Sequence, residues 1–213
     1  MASPRKPRGP YAKTAQRLAD ITDAALALVI ERGHATITTA DVAERAGLTE
    51  ATVLYHFPTK DHIFVSVLGL KESRDVSDLP GEMLDGDPGP AIGKQAEINV
   101  SHANTLRLFV AMAAEACNPQ HPAHGWFLQH RSGAREAFSA VLRQQQAVGR
   151  AHPDIEPDRF ARQMVAIWDG LQSQWLIDPS FDLAEEVTAA FDTLTRVDTM
   201  AARRAMEALA AGL

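Results

Sequence analysis

The chain has 213 residues and carries 21 Lys and Arg against 27 Asp and Glu, a formal net charge of −6. That length can bury a sizeable core and fits a small module plus a larger domain, while few aromatics (6%) and frequent Ala, Leu and Arg favour helices over sheets. The single cysteine, Cys117, excludes an internal disulfide and points to a reducing, cytoplasmic setting, and apolar runs such as 24–30 and 108–114 are too short to span a bilayer.

In chain order, residues 1–13 are rich in Pro, Gly and basic side chains and read as a disordered basic arm. No apolar core follows them, so no signal peptide is expected. Arg5 and Arg8 belong to this arm, which either enters a DNA minor groove or stays a solvated tail. A helix is predicted over 14–32, with Leu18, Ile21, Ala25, Leu28 and Val29 on one face and Gly33 as its stop. The segment 38–60, TTADVAERAGLTEATVLYHFPTK, then reads as two short helices around a glycine turn. Thr38 and Asp41 have the spacing of a reciprocal cap. Gly47 sits where a left-handed turn is needed, and Thr49 can cap the second short helix. Pro58 breaks that helix, and Thr59 can cap a fourth, which offers Ile63, Phe64, Val67 and Leu68 to a small core.

Helix, glycine turn and short polar helix is the plan of a helix-turn-helix that reads the major groove. Thr49, Glu50 and Thr52 lie at the start of the second helix, where short polar side chains reach base edges and phosphates. Glu50 either accepts from a cytosine amino group or favours the helix N-terminus. Tyr55, His56 and Lys60 lie where phosphates would be met, and Thr38 and Thr39 offer a second phosphate contact at a helix start. Charge is distributed accordingly. Residues 1–74 hold ten basic and eight acidic side chains, and residues 75–213 hold eleven and nineteen, so the acidic part is expected to face away from DNA.

The exit YHFPTKDHIF at 55–64, with the upstream Glu31-Arg32-Gly33, resembles the TetR family of bacterial transcriptional regulators. The likeness is close over 14–70 and limited to helical layout beyond. It supports DNA-contacting roles for Thr39, Thr49, Thr52, Tyr55, His56 and Lys60. One departure is Leu54, where family members commonly carry tyrosine. Leucine cannot donate to a phosphate, so either Tyr55 takes that role or Leu54 packs inward. The resemblance implies an all-α protein: an N-terminal helix-turn-helix domain over 14–74, then a larger helical domain over 75–213 that binds a ligand and dimerises. The acidic, Gly- and Pro-rich stretch 75–90 marks the boundary.

Helices are expected near 91–102, 104–117, 126–150, 158–177 and 183–196, with an alanine-rich tail that is either helical or frayed. Phe109, Met112, Trp126, Phe127, Met164 and Trp168 are candidates to line a mainly apolar ligand pocket, with Glu115, His130 and Asp169 as polar anchors. The competing reading of these side chains is ordinary core. Leu171, Trp175, Val187, Phe191 and Leu194 supply apolar surface for a homodimer, which would place two recognition helices on a two-fold-related operator. Cys117, His121, His124 and His130 match no zinc-finger spacing, so neither metal nor other cofactor is expected. The sequence thus points to a regulator rather than an enzyme: no serine nucleophile motif, phosphate-binding glycine loop or close metal triad is present. A helical enzyme or a protein-interaction module remains the alternative. The expected partners are double-stranded operator DNA, a largely apolar small molecule and a second copy of the chain, with no membrane.

Overall fold

The computed structural model describes residues 10–75, 84 and 86–211. Among these the chain is all-helical. Helix α1 spans Pro10–Arg32, and a 3-10 turn, His34–Thr36, leads to α2 (Thr39–Ala46), α3 (Glu50–His56) and α4 (Lys60–Asp75). Then come α5 (Gly89–Ser101), α6 (Ala103–Glu115), α7 (Ala123–Ala147), α8 (Pro157–Ile177), α9 (Leu183–Thr195) and α10 (Val197–Ala211). Helix α1 begins four residues earlier than the periodicity suggests, so residues 10–13 are helical rather than part of an arm. Arg5 and Arg8 lie outside the described residues, as does most of the 75–90 boundary.

The short helices are fixed by their ends. Thr38 accepts from Asp41 N–H (3.1 Å) and its own N–H donates to the Asp41 carboxylate (2.8 Å), closing the reciprocal cap. The Thr38 hydroxyl also donates to that carboxylate (2.6 Å), and this bond, followed by the one from the Thr38 N–H, holds the Asp41 carboxyl below its ordinary range. Gly47 ends α2 in the left-handed region at φ 67°, ψ 31°. Thr49 caps α3 by accepting from Thr52 N–H (3.2 Å). Further along, Glu156 and Asp182 accept backbone N–H bonds at the starts of α8 and α9. Arg196, at φ 56°, makes the turn from α9 into the tail, which is helical.

Two apolar clusters form the interior, and their division differs from the division of the sequence. The first gathers Ile21, Leu28 and Val29 of α1, Val42, Val53, Phe57, and Ile63, Phe64 and Val67 of α4. It continues into Leu108 and Met112 of α6 and Phe127 of α7. The second joins α5, the far half of α7, α8 and α9 through Ile92, Leu142, Phe160, Met164 and Phe191. Each such side chain contributes roughly 1.5–3 kcal/mol by leaving water. The helix-turn-helix module therefore closes its core with residues from beyond the 75–90 boundary. Polar contacts cross the same junction. Asn104 donates to the Ile30 carbonyl at the end of α1 (2.9 Å), and His121 meets Asp61 in the first turn of α4 (3.3 Å). No helix among the described residues is long and apolar enough to cross a membrane.

Candidate functional site

The start of α2 and the start of α3 are joined by side chains. Thr39 Oγ1 donates to the Glu50 carboxylate, and the hydroxyls of Thr49 and Thr52 lie 2.8 Å apart. Glu50 is thus oriented by Thr39, which neither of the two roles considered for it had included. Helix α3 turns Val53 inward and leaves Thr49, Glu50, Leu54 and Tyr55 exposed. Leu54 does not pack inward, being 41% exposed, and Tyr55 beside it is 83% exposed with a free path to a partner surface. His56 is different. Its Nε2 is enclosed without a hydrogen-bond partner among the described residues, and its ring meets Tyr55 edge to face. The phosphate contact expected of His56 from the sequence cannot be made through Nε2 unless that atom is uncovered.

Lys60 opens α4 and places its ammonium 5.5 Å from the Phe64 ring centroid. It also lies near His34, whose imidazole is held below its ordinary pKa by partial burial and then by the Lys60 charge. The α1–α2 angle is braced by a two-pronged Arg45–Glu31 pair at 2.8 and 2.7 Å. Asp23 and Arg74 (2.6 Å) tie α1 to the far end of α4.

A second feature lies along the later half of α4. Helices α4 to α8 surround a cavity of about 540 Å³. Phe109, Trp126, His130 and Trp168 line it, as the sequence suggested. Trp126 and His130 stack at 4.9 Å and 13°. Four expected residues are placed elsewhere. Met112 and Phe127 are buried in the first cluster and Met164 in the second, because their positions on α6, α7 and α8 face neighbouring helices. Glu115 ends α6 at the exposed surface.

Of the polar anchors expected from the sequence, His130 and Asp169 both stand on the wall, while their partners were missed. Glu72 of α4 pairs with His130 of α7 (2.8 Å), and Arg131 of α7 pairs with Asp169 of α8 (2.9 Å). Burial pushes the Asp169 carboxyl above its ordinary range, outweighing the opposing pull of Arg131 and His130. Lys71 of α4, Gln95 and Asn99 of α5, Thr105 of α6, Gln129 of α7 and Gln172 of α8 also line it. Gln172 was legible in one respect: it follows Phe160, Met164 and Trp168 at steps of four on an otherwise apolar stripe.

Of the expected dimer residues, Val187 and Phe191 are corrected: both are buried in the protomer's own second cluster and have no surface left for a partner. Leu171, Trp175 and Leu194 are half-buried against that cluster. The cysteine and histidines are separately engaged. His121 accepts from Ala123 N–H at Nδ1 (3.2 Å), His124 meets the Ala116 carbonyl (2.8 Å), and Cys117 Sγ lies 3.7 Å from the Ala113 carbonyl. No metal-binding group of three or more His, Cys, Asp or Glu occurs among the described residues.

Residues 21–67, which span the capped helix pair and the first half of α4, match the family profile described as bacterial regulatory proteins, tetR family. Over these residues the chain carries a TetR-family DNA-binding domain. It is 29% identical over 189 residues to the HTH-type transcriptional regulator TtgR of Pseudomonas putida, covering 82% of this chain and 88% of that protein. Its fold is that of Thermus thermophilus FadR, a TetR-family repressor solved with lauroyl-CoA (TM-score 0.64, 18% identity, 83% of this chain and 92% of that one). It is also that of SmeT, the repressor of a Stenotrophomonas maltophilia multidrug efflux pump (TM-score 0.63, 20% identity, 83% and 87%). SmeT has been solved with triclosan as well. With this domain at its N-terminal end, the chain is a helix-turn-helix transcriptional regulator, and the helical-enzyme alternative is set aside.

Proposed function

We propose that this regulator is a homodimeric, cytoplasmic repressor whose operator affinity is set by a small, largely apolar molecule in the α4–α8 cavity. One observation carries the reading: α4 serves both ends. Its first residue, Lys60, adjoins the exposed tip of α3, and its later residues Leu68, Lys71 and Glu72 form cavity wall. An occupant that presses on the wall at Leu68, Lys71 and Glu72 acts on the same helix that positions Lys60. Affinities for ligand and DNA are then reciprocally coupled. The lauroyl-CoA and triclosan complexes of FadR and SmeT support a ligand-responsive reading.

On the DNA side, Thr49 and Thr52 read base edges, and Tyr55, Lys60, Thr38 and Thr39 meet phosphates. Glu50 positions Thr39. For the dimer, the half-buried Leu171, Trp175 and Leu194 remain available at their outer edges, and Ile177 at the end of α8 is exposed. The reading is tested by selecting bound fragments from genomic DNA and measuring the mass of the complex. Two chains on a two-fold-related site are expected. One chain on an asymmetric site would overturn the dimer, and no selected sequence would overturn the regulator.

A further inference from the structure

Gln172 stands apart from every other polar group of the cavity wall. It is 2% exposed and has no side-chain hydrogen bond among the described residues. The only fully enclosed, unpartnered side-chain polar atom among those residues is His56 Nε2. The Gln172 amide therefore faces the open cavity rather than sealed apolar packing. Once a ligand displaces the water that reaches this amide, leaving it unpartnered costs on the order of 1–3 kcal/mol, so a ligand that supplies a partner is favoured over one that does not.

The charged groups on the same wall are already paired. Glu72 is satisfied by His130, Arg131 by Asp169, and Lys71 is likewise engaged. A charged ligand would have to break one of these pairs or be buried without a counter-charge, and both are costly. Four aromatic rings line the same cavity: Phe109, Trp126, Phe138 and Trp168. Such walls favour flat aromatic bodies.

From these observations we infer that the cavity selects an uncharged aromatic molecule bearing one hydroxyl or carbonyl group, with Gln172 as its hydrogen-bonding anchor. The inference rests on the cavity being the effector site. The carboxamide both donates and accepts, so it meets a phenol or a ketone equally well. The surrounding ion pairs act as a filter against organic acids and amines.

The test uses the full chain and three probes at pH 7: 4-phenylphenol, biphenyl and biphenyl-4-carboxylate. Binding is read from the fluorescence of Trp126 and Trp168, which line the cavity. The phenol is expected to bind about tenfold more tightly than biphenyl, the range of one neutral hydrogen bond. The carboxylate should bind more weakly than either. In Gln172→Leu the phenol's advantage should fall to within about twofold while biphenyl still binds. Gln172→Met serves the same comparison should the leucine variant fail to fold. Equal binding of phenol and biphenyl to the natural chain, survival of the preference in the variant, or tightest binding of the carboxylate would overturn the assignment alone. No binding of any probe would overturn the effector-site reading with it.

Discussion

Replacing Leu28 with alanine tests whether the DNA-binding helices and the cavity-forming helices are one cooperative unit. Leu28 is 1% exposed and belongs to the first cluster, which extends from α1 through α4 to Leu108, Met112 and Phe127. Truncation removes three carbons from a close-packed interior and leaves a cavity, a loss of about 3 kcal/mol. With a urea dependence of roughly 2 kcal/mol per molar, the midpoint should fall by about 1.5 M. The informative signal comes from far away. In a Trp126→Phe background, Trp168 and Trp175 remain, and both pack on the second cluster. If the two clusters unfold together, their fluorescence must report the full shift in one transition, coincident with circular dichroism at the same protein concentration. A tryptophan transition that stays in place while the helical signal splits into two steps would refute the shared unit. The route from cavity to DNA through packed helices would then lose its physical basis.

Lys60→Ala should weaken binding to all duplexes alike. It should also lower the salt slope by roughly 0.9 per half-site, read by titrations between low and physiological salt; a change in base preference alone would contradict a phosphate role. Gly47→Ala meets no neighbouring atom but must hold φ at 67°, so a purely conformational loss of about 1 kcal/mol is expected in chemical denaturation. His34 has a folded pKa below its unfolded one. Its contribution is therefore intact above the unfolded value of about 6.5 and is lost as pH falls through the folded value. His34→Gln should accordingly flatten the acid side of the stability–pH curve, and an unchanged curve would contradict the shift.

The helix-turn-helix was legible because its signals are local. A cap spans three residues, as Thr38 and Asp41 show, and a left-handed turn names its glycine at position 47. The cavity was legible only in part, because whether a side chain lines a void or fills a core depends on which helix lies opposite. Phe109 and Met112 share α6, one turn apart, and only Phe109 reaches the void. The same limit explains Val187 and Phe191. Their stripe on α9 announced burial but did not say against whom, and α5 and α8 cover them within the protomer. Pairings such as His130 with Glu72, 58 residues apart, leave no trace in local sequence at all.

The central claim is that α3 and the start of α4 read a particular DNA sequence. Fluorescence anisotropy against the genomically selected operator, with a scrambled duplex as control and across a salt series, tests it most directly. The account predicts tight binding that favours the operator at every salt concentration and weakens steeply as salt rises. Equal affinity for both duplexes throughout the series would contradict it.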